Sequence, residues 1–120
     1  MSLRAIRGAT TVEEDTRDAV IKATGALLEE MLARNEIQKS QLIDMIFTAT
    51  QDIRSEFPAA AARELGISDI PLLCSTEMDV IGSVERCIRV LMHVDTPKDY
   101  SQIRHVYLEG ARQLRTDLPE

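Results

Sequence analysis

Residues 16–34 leave little choice of conformation. Apolar side chains recur there at helical spacing, with Val20, Ala23, Leu27 and Met31 on one row and Ala19, Leu28 and Leu32 beside it. Arg17, Lys22, Glu29 and Glu30 take the opposite face. Thr16 is placed to cap the first turn, Asp18 lies where the helix dipole favours an anion, and Asn35 is a natural stop. Gly25 weakens this helix without ending it. A helix with one apolar stripe must bury it against another layer.

The other segments supply that layer. Leu3 to Gly8 reads as a short strand, followed by a loop through Thr11. Ser40 to Asp44 is expected to make one helical turn, and Met45 to Thr50, rich in β-branched and aromatic residues, a buried strand. Pro58 suits the start of a second, short helix over 58–65, with four alanines inside it and Gly66 beyond its end. Ile70 to Ser75, Cys87 to Val94 and Ile103 to Leu108 read as strands, with Gln113 to Arg115 a candidate for another before a frayed end. The order β, long α, β, short α, then several strands predicts an α+β fold with a mixed sheet and two main helices.

At 120 residues the chain suits one domain, residues 1–120, and a domain of this size gains from burial in an oligomer. Aromatics are scarce, so the core is expected from Leu, Ile, Val, Met and Ala. A net charge of −6, with no run of Lys or Arg, argues against nucleic acid as a partner. No apolar stretch approaches the roughly 20 residues needed to span a membrane, and the first residues lack the apolar region of a signal peptide. Two cysteines, Cys74 and Cys87, make no disulfide framework, so a cytoplasmic protein with reduced thiols is expected.

The usual catalytic constellations are missing. His93 and His105 stand apart, no His/Cys/Asp/Glu set has metal spacing, and no Gly-rich phosphate loop occurs. Either cysteine could be a nucleophile paired with a histidine, but a buried structural thiol is the simpler reading. The basic residues are eleven arginines against three lysines. Several arginines stand where arginine is awkward. Arg89 interrupts the apolar run Cys-Ile-Arg-Val-Leu-Met, and alternation puts it on one face with Cys87 and Leu91. If that face is buried, the cation needs an anion such as Glu77. Arg7 ends the first strand, Arg63 closes the short helix where capping alone would explain it, and Arg115 lies near the end. Tyr107 could be a core residue with a bonded hydroxyl. Guanidinium forks match carboxylates in bidentate geometry, so these residues suggest a binder of a compact polycarboxylate, with or without catalysis.

The chain also resembles the small monofunctional chorismate mutases of the AroH type. The likeness runs from about Leu3 to Leu118. It rests on Ile6 to Glu13 (IRGATTVE), Phe57-Pro58-Ala59 with Ala61 and Arg63, Glu77 to Val80 (EMDV), Arg86 to Val90 (RCIRV), Arg104 to Leu108 (RHVYL) and Leu114-Arg115. The resemblance implies a homotrimeric pseudo-barrel like the Bacillus chorismate mutase, with strands inside and helices outside. It implies active sites in clefts between subunits, chorismate as substrate, prephenate as product, and no metal or cofactor. It implies that Arg89 faces the breaking C–O bond and that Arg7 and Tyr107 hold carboxylates. Glu77 and Cys74 would address the ring hydroxyl, Phe57 and Leu114 would line the cleft, and Arg63 and Arg115 would guard its mouth. Two departures stand out: Ala60 replaces the family's usual lysine, and the end has Thr116 where proline is usual and stops early, so residues 116–120 are expected to form a looser tail. A non-catalytic trimeric binder of a small carboxylate, and a structural trimer with intersubunit salt bridges, remain as alternatives.

Overall fold

A computed structural model describes residues 1–114. The first strand, β1, spans Ser2–Thr11, and the long helix α1 spans Arg17–Arg34. Thr16 caps α1 as expected, its side-chain oxygen accepting the Ala19 N–H at 3.1 Å. A 3₁₀ turn at Lys39–Gln41 leads into β2, Leu42–Ala49. The short helix α2 covers Ala59–Glu64 and ends at Gly66, whose φ of +82° favours glycine. Strands β3 (Leu72–Thr76), β4 (Cys87–Thr96) and β5 (Val106–Tyr107) follow.

The five strands form one mixed sheet in the order β3-β2-β4-β1-β5. β4 is antiparallel to both β1 and β2, while β2–β3 and β1–β5 are parallel. Ile6, Met45, Phe47, Val90, Met92 and Val94 point from one face of this sheet into the main core. Leu27, Leu28 and Met31 of α1 meet them there. Full burial of each large apolar side chain contributes about 1.5–3 kcal/mol. Gly8 lets α1 cross β1 closely: a Cβ on it would overlap Met31 Sδ and crowd Leu27, so both side chains would have to shift.

Four expectations need correction. The helical turn expected over Ser40–Asp44 stops at Gln41, because Leu42 already pairs with Val94 in the sheet. The strand expected over Ile103–Leu108 shrinks to Val106–Tyr107, since a 3₁₀ turn at Tyr100–Gln102 and a clamp on Arg104 hold the preceding chain off the ladder. Residues Gln113 and Leu114 belong to a 3₁₀ helix, Glu109–Leu114, that folds Ala111 against Tyr107 and Cys87 instead of adding a strand. The loop expected over Gly8–Thr11 is instead the second half of β1, because these residues pair with β4 as far as Thr11 opposite Cys87. On β4, Ile88, Val90, Met92 and Val94 are buried, and Arg89 lies on the side without helices. Arg115 and the tail 116–120 lie outside the described residues.

Candidate active site

The sheet face away from the helices carries a concave site. Register builds it: Thr48 of β2 stands opposite Arg89 of β4, Arg89 opposite Ala9 of β1, and Ala9 opposite Tyr107 of β5. One row across four strands therefore presents a hydroxyl, a guanidinium and a phenol. Arg7, two residues before Ala9, projects from the same face of β1, because side chains alternate along a strand. Glu77 follows β3 directly, and its N–H donates to the Ala49 carbonyl at 2.9 Å, which extends the sheet edge by one residue. Arg7, Glu77, Arg89, Tyr107 and Leu114 line one cavity of about 570 Å³, with Thr48 and Leu91 between them.

Glu77 is held on two sides. Its Oε2 accepts from Thr48 Oγ1 at 2.7 Å and meets Arg89 Nε at 3.1 Å. The Arg89 and Glu77 side chains are 44% and 22% exposed. A partly solvated pair of this kind is worth only about 0–1 kcal/mol to stability, so its role is orientation. It fixes the edge of the guanidinium at Nε and aligns the fork within the cavity. Arg89 therefore has its anion in Glu77. Behind the fork, Cys87 is buried with Ala9, Tyr107 and Ala111. Burial pushes its thiol up, and the neighbouring Arg89 charge only partly offsets this. That residue stays a neutral packing group rather than a thiolate.

Cys74 and Phe57 lie elsewhere in the chain. Cys74 pairs in register with Phe47, so it points to the helix side of the sheet edge. Together with exposed Phe57 it lines a second cavity of about 550 Å³ that shares no residue with the first. Arg63, exposed in the last turn of α2, lines neither. The resemblance implied a shared role for Glu77 and Cys74; within one chain they lie apart, Cys74 lining the second cavity and Glu77, just past the end of β3, the first. Thr48 was not legible beforehand, since its neighbours in sequence mark it only as part of a strand. Arg54 and Thr76 of the second cavity carried no signal either.

The loop that presents Phe57 is tied to the start of α1. Asp15 accepts from Ser55 Oγ at 2.6 Å, from Ser55 N at 3.1 Å and from Arg54 N at 2.9 Å. These bonds, the Ser55 hydroxyl first, hold its carboxyl below the usual 3.8. A depressed folded value means that this anchor is complete above the ordinary carboxylate range and is lost as pH falls through the folded value. Asp15→Ala is expected to free the loop and speed amide hydrogen exchange at Arg54 and Ser55 several-fold at neutral pH. Unchanged exchange would show that Asp15 does not hold the second cavity in shape.

Among the described residues no three His, Cys, Asp or Glu side chains gather as a metal site, and no helix is long and apolar enough to cross a membrane.

Comparison with known proteins gives the fold and the cavity a context. The family model for chorismate mutase type I matches residues 3–118. Chorismate mutase AroH of Bacillus subtilis (strain 168) is 46% identical over 119 residues, covering 98% of this chain and 94% of that protein. Chorismate mutase AroH of Thermus thermophilus is 51% identical over 119 residues, covering 97% and 96%. A solved chorismate mutase from Clostridium thermocellum superposes with a TM-score of 0.90 at 49% identity, covering 92% of this chain and 98% of that one. With the family model matching residues 3–118 and relatives 46% and 51% identical over 119 residues, this chain belongs to the chorismate mutase type I family.

Proposed function

We propose that the protein is a chorismate mutase, rearranging chorismate to prephenate on the route to phenylalanine and tyrosine. The observation that carries this reading is the row of Arg89, Ala9 and Tyr107 with Arg7 beside it, closed by Glu77 in one cavity. The reaction is an intramolecular Claisen rearrangement: a C–O bond breaks and a C–C bond forms in the same molecule. No proton changes hands, so no general acid, general base or nucleophile is needed. A protein accelerates such a step by holding the flexible dianion in its compact reacting shape and by setting fixed positive charge where the ether oxygen gains negative charge.

Each residue then has a part. Arg89 places its oriented fork against the ether oxygen and one carboxylate. Arg7 and Tyr107 hold a carboxylate from β1 and β5, Glu77 accepts from the ring hydroxyl, and Leu114 closes the apolar side. The net charge of −6 does not oppose a dianion, because local arginines set the potential inside a cleft.

The second cavity fits a homotrimeric reading. Leu3 and Leu73 are 58% and 61% exposed on the sheet face without helices. Such a face gains from being turned inward against two other sheets, which would leave the helices outside as a pseudo-barrel. In that assembly Phe57, Cys74 and Arg63 of one subunit would complete the cavity of the next, with Arg115 at its mouth. A cytoplasmic location, where both free thiols stay reduced, suits this role.

The test is incubation with chorismate, following loss of its absorbance and formation of prephenate, with the mass in solution measured by light scattering. Turnover by a particle of three chains is expected. Binding of chorismate without conversion would replace this reading with that of a carboxylate binder. Cys74→Ser is expected to keep most of the activity, within about fivefold in kcat/KM, because a hydroxyl can replace a thiol as a hydrogen-bonding group. Complete inactivation of a folded variant would point to nucleophilic chemistry instead.

A further inference from the structure

Arg7 and Tyr107 enter the cavity from neighbouring strands, and both strands are held from behind by residues that do not line it. Asn35, at the end of α1, is fully buried. Its Nδ2 donates to the carbonyls of Met31 and Arg104, each at 2.8 Å, and its Oδ1 accepts the Arg104 N–H at 2.7 Å. The next residue, His105, is 8% exposed. Its Nδ1 accepts the Arg7 N–H at 2.9 Å. The parallel ladder between β1 and β5 begins one residue later, with Gly8 opposite Val106 and Ala9 opposite Tyr107. An imidazole nitrogen thus accepts from β1 just before the first rung.

We propose that His105 is a positioning residue for Arg7: a neutral imidazole protonated at Nε2, whose Nδ1 extends the β1–β5 ladder by one bond and fixes the main chain from which the Arg7 guanidinium reaches the substrate. The inference rests on the reading of Arg7 as a carboxylate contact. Accepting a bond from an N–H requires a lone pair on Nδ1, so this ring cannot be an imidazolium. Its surroundings agree: burial first, and then the charge of Arg7, hold His105 below the usual 6.5. His93 is the contrast. Its Nδ1 lies 2.6 Å from Asp44 Oδ1, and a carboxylate only accepts, so His93 carries a proton on Nδ1. The two histidines of the chain therefore differ at the same ring atom.

Two measurements test this. Long-range ¹⁵N–¹H spectra of the intact protein at neutral pH are expected to show an unprotonated, hydrogen-bonded Nδ1 at His105 and a protonated Nδ1 at His93. A protonated Nδ1 at His105 overturns the proposal whatever the variants do. In kinetics, His105→Leu is expected to raise the KM for chorismate about tenfold while kcat changes much less. His105→Asn, whose Oδ1 can occupy the place of Nδ1, should recover most of that loss. In an Arg7→Ala background, His105→Leu should add less than about twofold, because a residue that acts through Arg7 has nothing left to position. Equal effects in both backgrounds, or no effect of His105→Leu beside a damaged Arg7→Ala, overturn the proposal alone. A silent Arg7→Ala instead removes the carboxylate role of Arg7, and this inference with it.

Discussion

Arg89→Ala is expected to lower kcat for chorismate by at least about 10²–10³, the cost of removing one preorganised donor of about 3–4 kcal/mol from developing negative charge. The fold should survive. Arg89 projects from the sheet face opposite the core, is nearly half exposed, and contributes through Glu77 only a weak surface pair. Truncation leaves no cavity among Phe47, Val90 and Met92. Glu77 keeps its bond from Thr48, so its carboxylate remains in place without the fork beside it. Arg89→Lys separates charge from geometry: the cation stays, but the planar fork that meets Glu77 at Nε while lining the cavity is gone. Its rate should fall between the two. Wild-type turnover by Arg89→Ala, with the assembly intact, would sink the electrostatic account.

The second large effect comes from a residue that does not line the cavity. Asn35→Leu keeps the branching at Cγ but removes three hydrogen bonds at once, leaving the Met31 carbonyl and both backbone polar groups of Arg104 without these partners. Each such group costs about 1–3 kcal/mol, so a loss of roughly 3 kcal/mol or more is expected. Thermal melts should shift down by roughly 10 °C for a domain of this size. Activity at a temperature where the variant is folded is expected to fall as well, because Arg104 leads directly into His105, Val106 and Tyr107. A melt within a degree or two of wild type would show that the clamp is dispensable.

Asn35 also marks a limit of reading sequence. As a polar residue after an apolar repeat it is legible as a helix stop, and it is one. Nothing local says that it also grips a backbone 69 residues away. The same holds for the site. Arg89 stands out within an apolar run, and Glu77 follows a strand end, so both are visible one at a time. Their pairing through the β2–β4 register, with Thr48 as a third member, is not. The 103–108 segment has the composition of a strand, yet only two of its residues find ladder partners, because a turn and a clamp precede them. Residues 113 and 114 look extended and are instead wound into 3₁₀ structure by packing on Tyr107 and Cys87.

What the amino-acid order determined by itself was local: the capped helix after Thr16, the short helix ended by Gly66, the strands carrying Phe47 and Val90, and a set of arginines suited to carboxylates. Those depend on side-chain period, capping and backbone freedom within a few residues. Only the tertiary structure decided which face of β4 is core, that Arg7, Glu77, Arg89 and Tyr107 share one cavity, and that Cys74 and Phe57 line another. Strand order and register set those distances, and both follow from burying α1 on one face of the whole sheet, a condition no short window of sequence contains.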